Sequence, residues 1–139
     1  MLIGEHQHNI DVKGRVFIPA RFRDDLGEHF IVTKGLDSCL FIYSQDEWLV
    51  LDAKIRALPM SKSRSLQLFF FSSAVDVEAD KQGRIVLPQN LREFASLTRD
   101  VVIIGASSRV EIWDKQKWQD ACSGITLQTI TEAMDTLGF

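Results

Sequence analysis

The chain has 139 residues, of which 45% are apolar and 25% are charged, values typical of one globular domain. Its apolar runs, such as residues 101–104, are far shorter than the ~18 residues of a membrane-spanning helix, and no secretory signal is evident, which predicts a cytoplasmic protein without a membrane partner. The net charge of −3 excludes a uniformly basic nucleic-acid binder, so any basic face must be local.

One sequence pattern occurs twice in the chain. Five identities lie 69 positions apart: Asp11/Asp80, Gly14/Gly83, Arg15/Arg84, Pro19/Pro88 and Arg23/Arg92. Four more lie 70 positions apart: Gly35/Gly105, Ser38/Ser108, Ile42/Ile112 and Trp48/Trp118. Ordered identities of this kind indicate a tandem repeat, so each half is expected to form the same small module.

Each repeat is predicted to fold as strand, tight turn, strand, short helix, two strands and a helix. Val75, Val77 and Ala79 alternate with acidic residues, the period of two of a half-buried strand. Pro19 and Pro88 end the next short strands, because proline cannot donate to a β-ladder but fits the first turn of a helix. Later strands are predicted at 30–33, 40–43, 101–104 and 110–113, with Gly35 and Gly105 in the intervening loops.

Helices are predicted after the strands of each repeat. Ser44 and Glu47 form a capping box that begins an apolar-faced helix, which Pro59 ends. A second helix is predicted from Lys62 to about Ser72, although the run LFFF at 68–71 is equally compatible with a buried strand. The apolar spacing from Leu127 to Leu137 predicts an amphipathic C-terminal helix that packs on the body or on a neighbouring molecule.

The predicted organisation is a first module with its helix at 1–58, a connecting helix at 59–73, a second module at 74–122 and a C-terminal helix at 123–139. Cys39 and Cys122 lack the Cys-x-x-Cys spacing of a zinc site and are predicted to be buried free thiols. His6 and His8 would share one face of a strand, but no third ligand accompanies them. No metal, no cofactor and no enzymatic activity are therefore predicted.

The two turns carry the functional prediction. Asp11 and Asp80 open them and can accept local backbone N–H groups, whereas Gly14 and Gly83 close them and tolerate positive φ. Each turn displays a lysine, Lys13 or Lys81, and is followed by an arginine, Arg15 or Arg84. An arginine fork matches guanine or phosphate oxygens, and lysine supplies a positioning charge, so the turns are predicted to contact DNA.

A plainer interpretation is that Arg15 only pairs with Asp11 across the turn, because exposed ion pairs of this kind are common. Two observations favour DNA contact. The pattern is kept in both repeats, and the adjoining helices add Arg21, Arg23 and Arg92. The second repeat is more acidic: residues 74–139 carry seven Lys/Arg and ten Asp/Glu, against nine of each in residues 1–73. It is therefore expected to bind DNA more weakly.

The sequences DVKGRVFIPARFR and DKQGRIVLPQNLR resemble the paired Asp-x-x-x-Arg signatures of the MraZ family, and CLFIY, LFFFSSA and VEIWDKQKW extend the similarity along the chain. The resemblance implies an α/β (α+β) fold of two tandem swapped-hairpin AbrB-like β-barrel modules, related by pseudo-twofold symmetry, with connecting and C-terminal helices. It also implies a nucleoid-associated, ring-forming homo-oligomer. The implied function is a sequence-specific transcriptional regulator that binds direct repeats in its own promoter, upstream of the division and cell-wall gene cluster.

The resemblance assigns the basic residues to double-stranded DNA. Lys13 and Arg15 match the basic hairpin of AbrB-like proteins and Arg23 matches their helical arginine, while Arg84 and Arg92 are the second-repeat equivalents. Lys81 departs from the pattern, because it lies one position earlier in its turn than Lys13 does, and Gln82 replaces the lysine. Repression and activation both remain open at this point.

Two other classes of function remain as alternatives. The repeat could build a structural ring that binds a protein partner, with the signature Asp and Arg pairing between subunits. A barrel enzyme could use the same residues as an acid–base pair and an anion clamp, but no base or nucleophile adjoins them in the sequence, and no small-molecule substrate is implied.

Overall fold

The computed structural model describes residues 1–139 and contains eight strands, six α-helices and one π-helical segment. The strands are β1 (Glu5–Asn9), β2 (Arg15–Phe17), β3 (His29–Lys34), β4 (Leu40–Ser44), β5 (Val75–Glu78), β6 (Arg84–Val86), β7 (Asp100–Gly105) and β8 (Val110–Asp114). The helices are α1 (Ala20–Leu26), α2 (Gln45–Arg56), α3 (Met60–Leu66), α4 (Gln89–Phe94), α5 (Lys115–Ser123) and α6 (Leu127–Thr136), and the π-helical segment Gln67–Phe71 continues α3. The predicted mixture of helices and strands is confirmed, and the strands of both sheets pair antiparallel.

The two repeats are interleaved in one sheet. Six antiparallel strands lie in the order β1-β7-β8-β4-β3-β5, so the first strand of each repeat pairs with a strand of the other repeat. A separate two-stranded ribbon joins β2 to β6, again one strand from each repeat. Because these pairings cross between the halves, neither half retains all its backbone partners without the other.

Two apolar clusters cover opposite faces of the six-stranded sheet. The larger cluster has 19 buried residues and includes Leu40 and Ile42 of β4, together with residues of α1, α4 and the β2–β6 ribbon. The alternate residues Phe41 and Tyr43 belong to the smaller cluster, which packs against α2, α5 and the π-helical segment. The period of two along β4 thus places a layer on each side of the sheet.

The structure corrects three details of the sequence prediction. The second helix begins at Met60, and residues 68–71 are π-helical rather than strand, with the Thr33 hydroxyl donating to the carbonyl of Phe70 at 2.6 Å. Gly105 is the last residue of β7 and pairs with Val110, so it does not lie in a loop. Of the two free thiols Cys39 is buried, but Cys122 is exposed.

The predicted C-terminal helix is confirmed, but it does not pack on the body. The Thr126 side chain caps its first turn by accepting from the N–H of Thr129 at 3.1 Å. No residue of α6 is buried, and Ile130 and Met134 remain 47% and 38% exposed. An apolar helix face therefore stays open to solvent in the single chain. None of the helices combines the length and apolarity needed to cross a membrane.

Candidate nucleic-acid interface

The first turn is closed by its aspartate. One carboxylate oxygen of Asp11, Oδ1, accepts from the backbone N–H of Lys13 at 3.0 Å and of Arg15 at 2.9 Å, while Oδ2 accepts from Arg15 Nε at 2.6 Å. The N–H of Gly14 donates to the carbonyl of Asp11 at 3.0 Å, and Gly14 has a φ of +79°. The aspartate and the glycine therefore each have a defined structural role at this spacing.

The second turn repeats this geometry with different residues between its ends. Asp80 accepts from the N–H of Gln82 and of Arg84, both at 2.9 Å, and from Arg84 Nε at 3.0 Å. Gly83 has a φ of +83°. Because the residues between Asp and Gly take part in these bonds only through their backbone N–H, the change of Val12-Lys13 to Lys81-Gln82 leaves the backbone of the turn intact.

The hydrogen bonds favour the ionised form of both aspartates. The backbone N–H of Arg15 is the main cause that holds the pKa of Asp11 below its ordinary value, with the Arg15 side chain and the Lys13 N–H adding to it. The N–H of Arg84 is the main cause for Asp80. The Asp11–Arg15 ion pair considered from the sequence is therefore formed, and Asp80 and Arg84 form its equivalent in the second turn. It engages Nε only, and the terminal nitrogens of Arg15 make no hydrogen bond within the chain.

The two arginines share an outward face of the β2–β6 ribbon. The register sets Arg15 opposite Val86 and Phe17 opposite Arg84, so these four side chains lie on one face. Val16 and Ile85, on the other face, are buried in the larger cluster. The ribbon therefore presents one arginine from each repeat on its solvent side.

The turns lie at opposite ends of this ribbon. The N–H of Leu87 donates to the carbonyl of Gly14, and the N–H of Ile18 donates to that of Gly83, both at 2.9 Å. Gly14 and Ile18 are four residues apart, so the two turns are separated by about 13 Å at ~3.3 Å per strand residue. Lys13 and Lys81 are exposed at the two ends.

The helical arginines occupy a different position. Arg23 Nε donates to the carbonyl of Ile18 at 2.9 Å, and Arg92 Nε donates to that of Leu87 at 3.0 Å. Both side chains are partly buried, whereas Arg21 is exposed on α1 and makes no hydrogen bond or ion pair within the chain. Of the predicted basic residues, Arg15, Arg84 and the turn lysines therefore share the ribbon, while Arg23 and Arg92 lie beneath its ends.

The surroundings of the two turns differ in charge. A shallow cleft beside the second turn is lined by Asp24, Glu28 and Glu78 as well as Arg23 and Asp80. The equivalent positions around the first turn carry two carboxylates, Asp11 and Glu93, because Leu97 and Asn9 occupy the positions of Glu28 and Glu78. Counting charges by half did not identify this cleft, because Asp24 and Glu28 belong to the first half and meet Glu78 of the second only after folding.

Known proteins are similar to this chain over nearly its whole length. The family model described as "MraZ protein, putative antitoxin-like" matches residues 1–68 and again residues 70–137. The Transcriptional regulator MraZ of Acetivibrio thermocellus is 54% identical over 142 residues, covering 99% of each chain. That of Thermoanaerobacter sp. (strain X514) is 50% identical with the same coverage, and that of Pelotomaculum thermopropionicum is 59% identical over 86% of this chain and 83% of its own.

Proposed function

This chain belongs to the MraZ family, and on that premise we propose that it is a sequence-specific DNA-binding regulator of transcription. The family is one of transcriptional regulators and not of enzymes. The observation that carries the proposal is the β2–β6 ribbon, on which Arg15 and Arg84 share the solvent face between two lysine-bearing turns.

The ribbon has dimensions suited to the major groove. A two-stranded ribbon enters a groove that is ~12 Å wide, and an arginine there can donate two bonds to the O6 and N7 of guanine. The aspartate bonds fix the backbone N–H and the Nε of each arginine, so little side-chain and loop entropy is lost on binding. Lys13 and Lys81 at the ends are placed to reach phosphates on either side of the groove.

The first turn is the stronger contact in this proposal. Four carboxylates and one cation, Arg23, line the cleft beside the second turn, whereas the equivalent positions around the first turn hold two carboxylates, Asp11 and Glu93, with Arg92. Carboxylates near phosphates oppose the counterion release that dominates nonspecific affinity. Arg15 and Lys13 are therefore expected to contribute more binding energy than Arg84 and Lys81.

The finer features rest on the family resemblance. The exchange of first strands between repeats is consistent with a pair of swapped-hairpin modules. The proposed targets are direct repeats in the promoter of the protein's own gene, at the head of the division and cell-wall gene cluster, which places the protein at the nucleoid. Such targets suit an oligomer whose subunits read successive sites.

The open face of α6 supports self-association. The exposed apolar residues of α6, among them Leu127 and Ile130, are accompanied by Glu132 and Asp135 and by no cation. The elbow between α2 and α3 has the opposite character: it exposes Leu58 and Met60 among the cations Lys54, Arg56, Lys62 and Arg64. If α6 of one copy packs on this elbow of the next, the contact is head-to-tail, and it generates a ring when the rotation between neighbouring copies closes.

Selection of bound fragments from a random duplex pool tests the function. Enrichment of one repeated sequence, with affinity that falls steeply as salt rises, is expected of the regulator. Enrichment of no sequence at any salt concentration would contradict it and favour the scaffold that binds a protein partner.

Spacing then tests how the subunits read DNA. Two repeats about one helical turn apart, ~10 bp, should bind ~10²-fold more tightly than one repeat, because the second is met at high effective concentration. Two repeats shifted by a further half turn should lose this gain. Equal affinity for all three duplexes at one salt concentration would rule out reading by neighbouring subunits.

A further inference from the structure

Each helical arginine lies against the turn of the other repeat. A Cβ built on Gly14 would fall 3.0 Å from Cζ of Arg92, and one built on Gly83 would fall 2.9 Å from Cζ of Arg23. Gly14 and Gly83 are buried although both turns are at the surface, which is the consequence of this cover. The glycine is required both for its positive φ and for the close approach of a guanidinium.

The same arginines hold the backbone that joins the turn to the ribbon. Arg92 Nε binds the carbonyl of Leu87, and the N–H of Leu87 in turn binds the carbonyl of Gly14. Arg23, Ile18 and Gly83 form the equivalent chain of bonds at the other end. The Arg92 guanidinium thus holds Leu87 of its own repeat, and Leu87 holds the turn of the other repeat at Gly14.

We propose that Arg23 and Arg92 are positioning residues that lock the turn of the opposite repeat, and not DNA contacts. Arg92, in the second repeat, then controls the shape of the first turn, which carries Lys13 and Arg15. The lock is a property of the free protein, so the proposal rests on the proposed function only for the DNA-binding experiment below.

The two locks are unequal. Arg23 also lies over the ring of Phe17, with Cζ 5.7 Å from the ring centroid. The same ring covers Gly83, since a Cβ built there would fall 2.9 Å from Phe17 Cε2. The equivalent of Phe17 beside Arg92 is Val86, which offers no aromatic face. The first turn, the stronger DNA contact, is therefore held by fewer contacts. It should respond more to loss of Arg92 than the second turn does to loss of Arg23, because Phe17 still covers the second turn.

Amide hydrogen exchange of the free full-length protein tests the lock. Arg92→Lys keeps the charge but loses the Nε bond, and should speed exchange at Gly14 and Arg15 roughly tenfold while Gly83 and Arg84 keep their rates. Arg23→Lys should do the reverse and provides an independent test. Faster exchange in the variant's own repeat, in both turns equally, or in neither would overturn the proposal.

The salt dependence of DNA binding separates positioning from contact. Arg92→Gln should lower affinity about tenfold for the duplex that the selection enriches, with the slope of log K against log salt unchanged. Loss of a direct phosphate contact would instead reduce the slope by about one and would overturn the proposal. If no duplex is enriched, the proposed function fails, while the exchange result still decides the lock.

Discussion

Glu111 is the buried acidic residue on which the stability of the smaller apolar cluster is expected to depend. It is 7% exposed, and its Oε2 accepts from Arg109 Nε and Nη2, both at 2.9 Å. Its Oε1 accepts from Trp113 Nε1 at 2.9 Å. The Arg109 guanidinium lies 3.9 Å from the centroid of the Phe41 ring, so one carboxylate joins β8 to β4 through a cation and an aromatic face.

Glu111→Gln preserves the shape and the acceptor for Trp113 but removes the charge that faces Arg109. Breaking a buried ion pair by removing one partner costs ~3–5 kcal/mol, because the other charge stays uncompensated. The Arg109 side chain is 31% exposed and can recover some hydration, which lowers the expected cost. We expect a loss of about 2–3 kcal/mol in the free energy of unfolding, or roughly 6–12 °C in Tm.

Urea unfolding followed by tryptophan fluorescence measures this loss, since Trp113 donates directly to the altered side chain. Protein concentration must be matched, because self-association shifts apparent stability. Asp52→Asn is the matched control: Asp52 pairs with Arg56 at 3.0 Å on the surface of α2, and its loss should cost no more than ~0.5 kcal/mol.

A loss for Glu111→Gln no larger than that of Asp52→Asn would show that water already screens the Arg109 pair, and the reasoning would be wrong. The double variant with Arg109→Met adds a second check. It should recover part of the stability, because neither charge is then left without its partner.

Three further outcomes are expected. Arg15→Ala should lower specific DNA affinity about 5- to 150-fold, with a melting assay showing that the protein is still folded, and Arg84→Ala should lower the affinity less. Equal losses of affinity in the two folded variants would contradict the asymmetry between the turns. The pKa values of Asp11 and Asp80 are depressed, so their contribution to stability is present above the ordinary value of 3.8 and is lost as pH falls through the folded pKa. A chain with Asp11→Asn and Asp80→Asn should lack this loss when stability is measured as a function of acid pH. Ile130→Asp should reduce the mass measured by light scattering, and an unchanged mass would exclude α6 from the subunit contact.

Local structure in each repeat could be predicted from neighbouring residues. Asp11 and Gly14 predicted a turn because the bonds of a tight turn are made within four or five residues. Pro19 predicted the start of α1 for the same reason, since its effect on φ and on the missing N–H is local. The repeat also predicted that Arg15 and Arg84 occupy equivalent positions and have the same role.

How the two repeats pair could not be predicted from the sequence. Strand pairing between β1 and β7, or β2 and β6, joins residues about 70 to 100 positions apart, and the period of two is the same whichever strand is the partner. The position of Arg92 against Gly14 follows from that interleaving and has no signature within either repeat. Arg23 and Arg92 therefore look like surface cations in the sequence, and only their burial against the opposite turn shows what they contact.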